Sequence, residues 1–157
     1  MVQLGSYRGT IRSVEDFQES GCVKIVAIEI DNGSIVNFLV GPETYVVDQS
    51  MLLVGNQIVG FYDLNAPTLA IYPPRYEAEI IVRVNARENV YVGYFGRNLV
   101  SSDNQLRLNI SRATRITTTN GQRFTQSLMN RFIIVIYGAA TKSIPAQTTP
   151  SRIIVQC

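Results

Sequence analysis

The sequence predicts an all-β protein made of two tandem small OB-like β-barrels, with a single β-sandwich built from both repeats as the alternative. Apolar and polar residues alternate over short runs bounded by turn residues, and no segment keeps a helical period. Segments of the first half recur in the second half. The first half contains five such runs with room for a helical turn between the third and fourth, which is the plan of an OB-like barrel.

The recurrence is clearest in three pairs of segments. Residues 38–46 match 108–116, residues 53–63 match 128–138, and residues 80–82 match 153–155. The offset changes from 70 to 75 to 73, and the insertions fall in turn-like segments where length changes cost little. We therefore predict an internal duplication, with an acidic OB-like unit at residues 1–84 and a basic OB-like unit at residues 85–157.

The strands of each repeat follow from the alternation. We expect them at residues 7–14, 23–30, 34–40, 57–62 and 77–85, and then at 89–95, 105–110, 131–137 and 152–156. Asp31-Asn32-Gly33 predicts a hairpin, because the mirror-image turns that match strand twist need the positive φ that Asn and Gly tolerate. One helical turn is expected within residues 48–53 and another within residues 122–129.

The formal charge of +2 conceals a division along the chain. Through Val82 there are four basic and ten acidic residues, a net charge of −6. From Arg83 onward there are ten basic and two acidic residues, a net charge of +8, and twelve of the fourteen basic residues of the chain are arginine. Opposite charges in the two halves favour docking between repeats, within one chain or between chains.

The sequence lacks the residues that several kinds of catalysis require. The sequence has no histidine, which excludes histidine-ligated metals, imidazole acid–base catalysis and histidine-dependent triads. It has no phosphate-binding glycine loop or dinucleotide fingerprint. Glu77 and Glu79 share a strand face and are interpreted as solvated, and Cys22 is interpreted as a small buried hydrophobe. We expect no enzymatic activity, no catalytic residue, no metal and no cofactor.

Two groups of residues are candidates for binding a ligand or a partner. In the first repeat, Tyr72, Arg75 and Tyr76 lie in a proline-stiffened loop, and tyrosine and arginine are residue types that anchor interfaces. The alternative is that this loop packs on its own repeat. In the second repeat, arginines are spread over several elements near aromatic residues, a pattern typical of grooves for single-stranded nucleic acid. The candidates there are Tyr94, Arg97, Arg107, Arg112, Arg115 and Arg131. The alternative is that these arginines belong to a solvated or intersubunit face.

Two sets of motifs resemble an uncharacterised β-domain family of clostridia and related Firmicutes. The first repeat carries Gly60-Phe61-Tyr62-Asp63 and Tyr72-Pro73-Pro74-Arg75-Tyr76, and the second carries Ile136-Tyr137-Gly138 and residues 143–150. The resemblance covers most of the chain. It implies a tandem OB-like protein of unknown function, and for some relatives a cell-envelope setting. It implies no activity and no catalytic residues.

The sequence thus predicts a non-catalytic structural or protein-interaction module that associates with itself or with another protein. The alternatives are binding of single-stranded nucleic acid or another polyanion by the second repeat, and binding of an envelope glycan by the Tyr72–Tyr76 loop. No apolar run reaches the length of a membrane-spanning helix. The location expected from the sequence as written is cytoplasmic, or the cell envelope if a signal or anchor has been removed.

Overall fold

The chain is all-β, and its architecture differs from the expected one. The computed structural model describes residues 3–157, with 47% of the residues in strands and 4% in helix. The prediction of OB-like barrels is wrong, because the structure describes a β-solenoid of about three turns. The same finding replaces the alternative of a single β-sandwich.

The chain divides into two compact units, unit 1 ending at Ala86 and unit 2 beginning at Arg87. Within residues 3–157, the strands of unit 1 are β1 (Leu4–Asp16), β2 (Lys24–Glu29), β3 (Ile35–Val40), β4 (Tyr45–Val46), β5 (Gln57–Asp63), β6 (Arg75–Glu77) and β7 (Ile80–Val84). Those of unit 2 are β8 (Asn89–Phe95), β9 (Leu106–Leu108), β10 (Arg115–Thr118), β11 (Arg131–Tyr137), β12 (Ala146–Thr148) and β13 (Arg152–Val155).

The strand partners explain why the sequence did not predict the architecture. In unit 1 the order is β4-β7-β5-β1-β2-β3-β6, and in unit 2 a four-stranded sheet β10-β13-β11-β8 accompanies the pair β12-β9. Four of the ladders are parallel, namely β3 with β6, β4 with β7, β9 with β12 and β10 with β13. The alternation that predicts a strand does not specify which distant strand will lie beside it. Most of the strands in these parallel ladders are only two to four residues long, and β4, β10 and β12 lie outside all the expected strands.

The predicted hairpin between β2 and β3 is confirmed, with a different turn. The strands pair antiparallel from Glu29 opposite Ile35 to Lys24 opposite Val40. The Gly33 amide donates to the Ile30 carbonyl, and Gly33 has a φ of 83°. This is a tight turn followed by one left-handed glycine, as in the three-residue hairpin loops, whereas the two-residue mirror-image turns need positive φ at the first or at both central residues.

Each unit has its own apolar core, and the two cores differ in the side chains at one pair of aligned positions. In unit 1 the fully buried Phe38 packs against Gly60, where an added Cβ would lie 2.5 Å from the Phe38 ring. At the positions that the repeat alignment makes equivalent, unit 2 has Leu108 and Val135, both buried. The Phe38 ring occupies the space that a side chain at position 60 would need, whereas unit 2 has the smaller Leu108 together with a side chain at position 135.

Two further expectations are corrected. Cys22 is exposed rather than buried, because it lies in the connection between β1 and β2, where its backbone amide donates to the Ser20 hydroxyl. A short turn with 3-10 hydrogen bonding covers Val47–Gln49, but Asp48 and Gln49 lie in the left-handed region, with φ of 62° and 51°, so it is not the right-handed helical turn expected there. Residues 122–129 contain no helical turn. The other described 3-10 turn is Arg97–Leu99, directly after β8.

We expect Gly60→Ala to destabilise the protein by about 1–3 kcal/mol, because the new methyl group overlaps the Phe38 ring and the packed core must shift. Gly41→Ala is the matched control, since a Cβ there makes only an ordinary 3.6 Å contact with Val23. Urea denaturation of both variants measures the difference. Equal stability of the two would show that the Phe38 ring moves aside without cost.

Candidate functional site

A threonine hydroxyl fixes the turn that leads into β4 of unit 1. The Gly41 amide donates to Thr44 Oγ1 at 3.0 Å, and the same hydroxyl donates to the Ala78 carbonyl at 2.9 Å. The Thr44 amide also donates to the Gly41 carbonyl. One side chain therefore closes the turn and connects it to the segment that precedes β7.

The turn that leads into β10 of unit 2 repeats this arrangement. The Ser111 amide donates to Thr114 Oγ1 at 3.3 Å, and this hydroxyl donates to the Pro150 carbonyl at 2.7 Å. Thr114 is the residue that the repeat alignment pairs with Thr44. The two units thus hold an equivalent turn in an equivalent way.

The strand pairing corrects the alignment of the last strands. Tyr45 lies opposite Ile80 in unit 1, and Arg115 lies opposite Arg152 in unit 2. Ile80 is therefore equivalent to Arg152 rather than to Ile153. The Ile triplets resemble each other in sequence but are displaced by one residue in the sheet.

A cleft of about 650 Å³ lies at the threonine turn of unit 2, and we call it the arginine cleft. Its lining consists of the turn, the start of β10 and the loop that follows β10. The lining residues are Arg112, Ala113, Thr114, Arg115, Ile116, Thr117, Gly121, Arg123 and Phe124. The three arginines are all exposed, and no acidic residue belongs to the lining.

The loop after β10 brings Arg123 back to the cleft. Thr117 and Arg123 form an antiparallel bridge, and the Phe124 amide donates to the Ile116 carbonyl. Gly121, with a φ of 84°, allows the tight return between them. Phe124 was not predicted, and Arg123 was counted among the arginines of the second repeat without being chosen as a site residue. The Asn120-Gly121 pair after β10 is the sequence signal that indicates this return.

Arg131 contributes to the cleft indirectly. Its guanidinium lies over the Phe124 ring, 4.7 Å from the ring centre, and its Nε donates to the Ser127 carbonyl at 2.7 Å. Arg131 is therefore held by Phe124 and Ser127 and supports the ring that lines the cleft. It is not itself part of the lining.

The remaining candidates of the second repeat lie elsewhere. Tyr94 lies on β8, and its hydroxyl donates a hydrogen bond to Asn130 Oδ1 at 3.1 Å. Arg97 begins the 3-10 turn after β8, and Arg107 is exposed between the buried Leu106 and Leu108 of β9. Of the six predicted residues in this repeat, the arginine cleft collects Arg112 and Arg115.

The carboxylates of unit 2 do not line the arginine cleft. Asp103 accepts hydrogen bonds from the Ser101 hydroxyl at 2.7 Å and from the Gln105 amide at 3.1 Å. Burial opposes ionisation of this carboxyl group, but the hydrogen bonds from Ser101, Tyr91 and the Gln105 amide outweigh it and lower the pKa of Asp103. Asp103 is thus occupied within its own loop. The two ion pairs found in residues 3–157, Arg12–Glu29 and Lys24–Asp16, both belong to unit 1.

The predicted site residues in the loop of unit 1 do not lie together: Tyr72 faces solvent, whereas Tyr76 packs against other tyrosines. Tyr72 is 77% exposed, whereas Tyr76 stacks on Tyr62 with a centroid separation of 4.1 Å. A hydrogen bond with Tyr7, together with burial, raises the pKa of Tyr76 to about 12. Arg75 lies over the Phe17 ring at 4.9 Å. Arg75 and Tyr76 line a small cleft of about 320 Å³, and Tyr72 does not.

A second cleft of unit 1 lies at its own threonine turn. It has a volume of about 400 Å³ and we call it the glutamate cleft. Its charged lining residues are Glu43, Glu77 and Glu79, all exposed, and no basic residue belongs to the lining. The equivalent turns of the two units therefore border clefts of opposite charge.

Comparisons with known proteins add no function. No protein-family model matches the chain, and no curated protein matches it significantly. The resemblance to a clostridial β-domain family therefore stays a prediction. In the part of the chain that the structure describes, no helix is long and apolar enough to cross a membrane, and no group of metal-ligating side chains is arranged to hold an ion.

The lowered pKa of Asp103 predicts an acid-dependent contribution to stability. The ionised carboxylate stabilises the folded state above its unfolded pKa of about 3.9, and this contribution is lost as the pH falls through the lower folded value. We expect Asp103→Asn to lower the melting temperature at neutral pH, and the difference from the unmodified protein to shrink below about pH 4. Thermal unfolding measured from pH 7 to pH 3 tests this. A difference that persists unchanged at the lowest pH would contradict it.

Proposed function

We propose that the protein is a non-catalytic interaction module whose arginine cleft binds a carboxylate-bearing protein surface. The observation that carries the proposal is the convergence of Arg112, Arg115 and Arg123 on one cleft whose lining has no acidic residue. A guanidinium presents a planar set of donors that matches a carboxylate in two parallel hydrogen bonds. Three such groups on one rim favour a partner with several carboxylates.

The positions of the arginines support an exposed interface rather than internal ion pairing. None of the three forms an ion pair with a described acidic side chain, and the turn and hairpin that carry them are fixed by backbone and threonine hydrogen bonds. The backbone of the cleft is therefore ordered before a partner arrives. Pre-ordering reduces the entropy that binding must overcome.

Single-stranded nucleic acid is the second candidate, because an aromatic residue, Phe124, lines the cleft beside the arginines. Bases stack on exposed aromatic faces in such sites. Phe124 is half-buried, packs against the core of unit 2, and has Arg131 over its ring. The hydroxyl of Tyr94 is engaged by Asn130. The cleft thus has the charge of a nucleic-acid groove without an open aromatic platform, which makes a protein carboxylate surface the better fit.

We expect a fluorescein-labelled poly-L-glutamate peptide to bind the protein at low ionic strength and to dissociate as salt is added, since exposed charge pairs are screened. Arg115→Ala combined with Arg123→Ala should weaken binding by about tenfold, at up to about 1 kcal/mol for each arginine. Fluorescence anisotropy measures the dissociation constants. Arg97→Ala combined with Arg107→Ala is the charge-matched control, because both arginines are exposed outside the cleft.

Two results would contradict the proposal. Equal weakening by the control that lacks Arg97 and Arg107 would show that net charge alone, and not the cleft, attracts the peptide. Tight binding of a labelled oligothymidine that needs Arg115 and Arg123, with no binding of poly-glutamate, would favour the nucleic-acid alternative instead.

A further inference from the structure

We infer that the carboxylate-bearing partner of the arginine cleft is unit 1 of a second copy of this chain, which docks through its glutamate cleft. This inference rests on the proposed function and names the partner. The two clefts border equivalent threonine turns, at Thr44 in unit 1 and at Thr114 in unit 2. The structure therefore presents two charged clefts on related scaffolds within one polypeptide.

The charges of the two surfaces are complementary in sign and in number. Three exposed glutamates line one cleft, and three exposed arginines line the other. The surrounding units reinforce the contrast: unit 1 has five basic and ten acidic residues, net −5, and unit 2 has nine basic and two acidic residues, net +7. Such fields accelerate encounter between opposite units and oppose encounter between like units.

Three of the substitutions that separate the two turns affect the charge of the cleft rim. Pro42, Glu43 and Tyr45 of unit 1 correspond to Arg112, Ala113 and Arg115 of unit 2 in the repeat alignment. The threonine that holds the turn is kept in both. The two turns thus share their hydrogen bonds, whereas one rim is acidic and the other is basic.

Contact between the glutamate cleft of one chain and the arginine cleft of another joins two different surfaces. Such a contact leaves one free cleft of each kind at the ends of a dimer, so that further chains can add. The expected behaviour is a concentration-dependent series of oligomers that salt disperses, because the contacts are between exposed charges.

Charge reversal in trans tests the inference. The acidic-cleft variant carries Glu43→Lys and Glu79→Lys, and the basic-cleft variant carries Arg112→Glu and Arg115→Glu. All four side chains are exposed, so circular dichroism is expected to show folded proteins. Sedimentation velocity at low ionic strength should show association of the unmodified protein, and weakening by about tenfold or more for each variant alone. An equimolar mixture of the two variants should associate again, because the unmodified arginine cleft of one meets the unmodified glutamate cleft of the other.

The outcomes distinguish this inference from the proposed function. An unmodified protein that stays monomeric at every concentration and at low salt would overturn self-association, while binding of poly-glutamate through Arg115 and Arg123 would leave the proposed function standing. Association that survives both double substitutions would place the contact elsewhere and would also overturn the inference. Failure of the variant mixture to associate, with each variant folded, would have the same meaning.

Discussion

The hydroxyl of one threonine in each unit determines where the charged clefts lie. This hydroxyl accepts a hydrogen bond from the amide of the residue three positions earlier. It donates a hydrogen bond to a carbonyl of the segment before the last strand of its unit. A hydroxyl can do both at once because it has one proton and two lone pairs. The turn is thereby connected to a distant part of the chain, and the charged side chains beside it are presented at a fixed place.

The rest of each unit varies around this constraint. In the core, Phe38 with Gly60 is exchanged for Leu108 with Val135 at aligned positions, and all of the apolar members are buried. At the rim, Glu43, Glu77 and Glu79 are found in one unit, and Arg112, Arg115 and Arg123 in the other. In a packed interior a change at one position limits the side chains that fit at its neighbours. A solvated rim has no such limit, so its charge can be inverted without changing the fold.

Sequence reasoning succeeded for local features and failed for distant ones. It located the long strands and the Asp31–Gly33 hairpin, because alternation and turn residues are local signals. It did not find the solenoid, since short parallel strands such as β4 and β10 depend on partners about 35 residues away. It also missed that Arg123 joins Arg112 and Arg115, because a bridge to Thr117 brings it there. The offset of the last strand was wrong by one, since the Ile-rich runs align in either register and backbone pairing alone decides between them.

The difference between a charged surface and a binding surface depends on what the charges already contact. Arg75 and Arg131 are both stacked on phenylalanine rings, and Asp103 is bonded within its own loop, so these groups serve the fold of their own unit. Among residues 3–157, no acidic side chain is paired with the arginines of the cleft and no ring is stacked on them, and the rim has no carboxylates. Their mutual repulsion is modest while water screens it, and it is relieved when carboxylates lie between them. An arginine cluster of this kind is more stable with an acidic partner than alone, which is the physical reason to look for that partner among acidic surfaces.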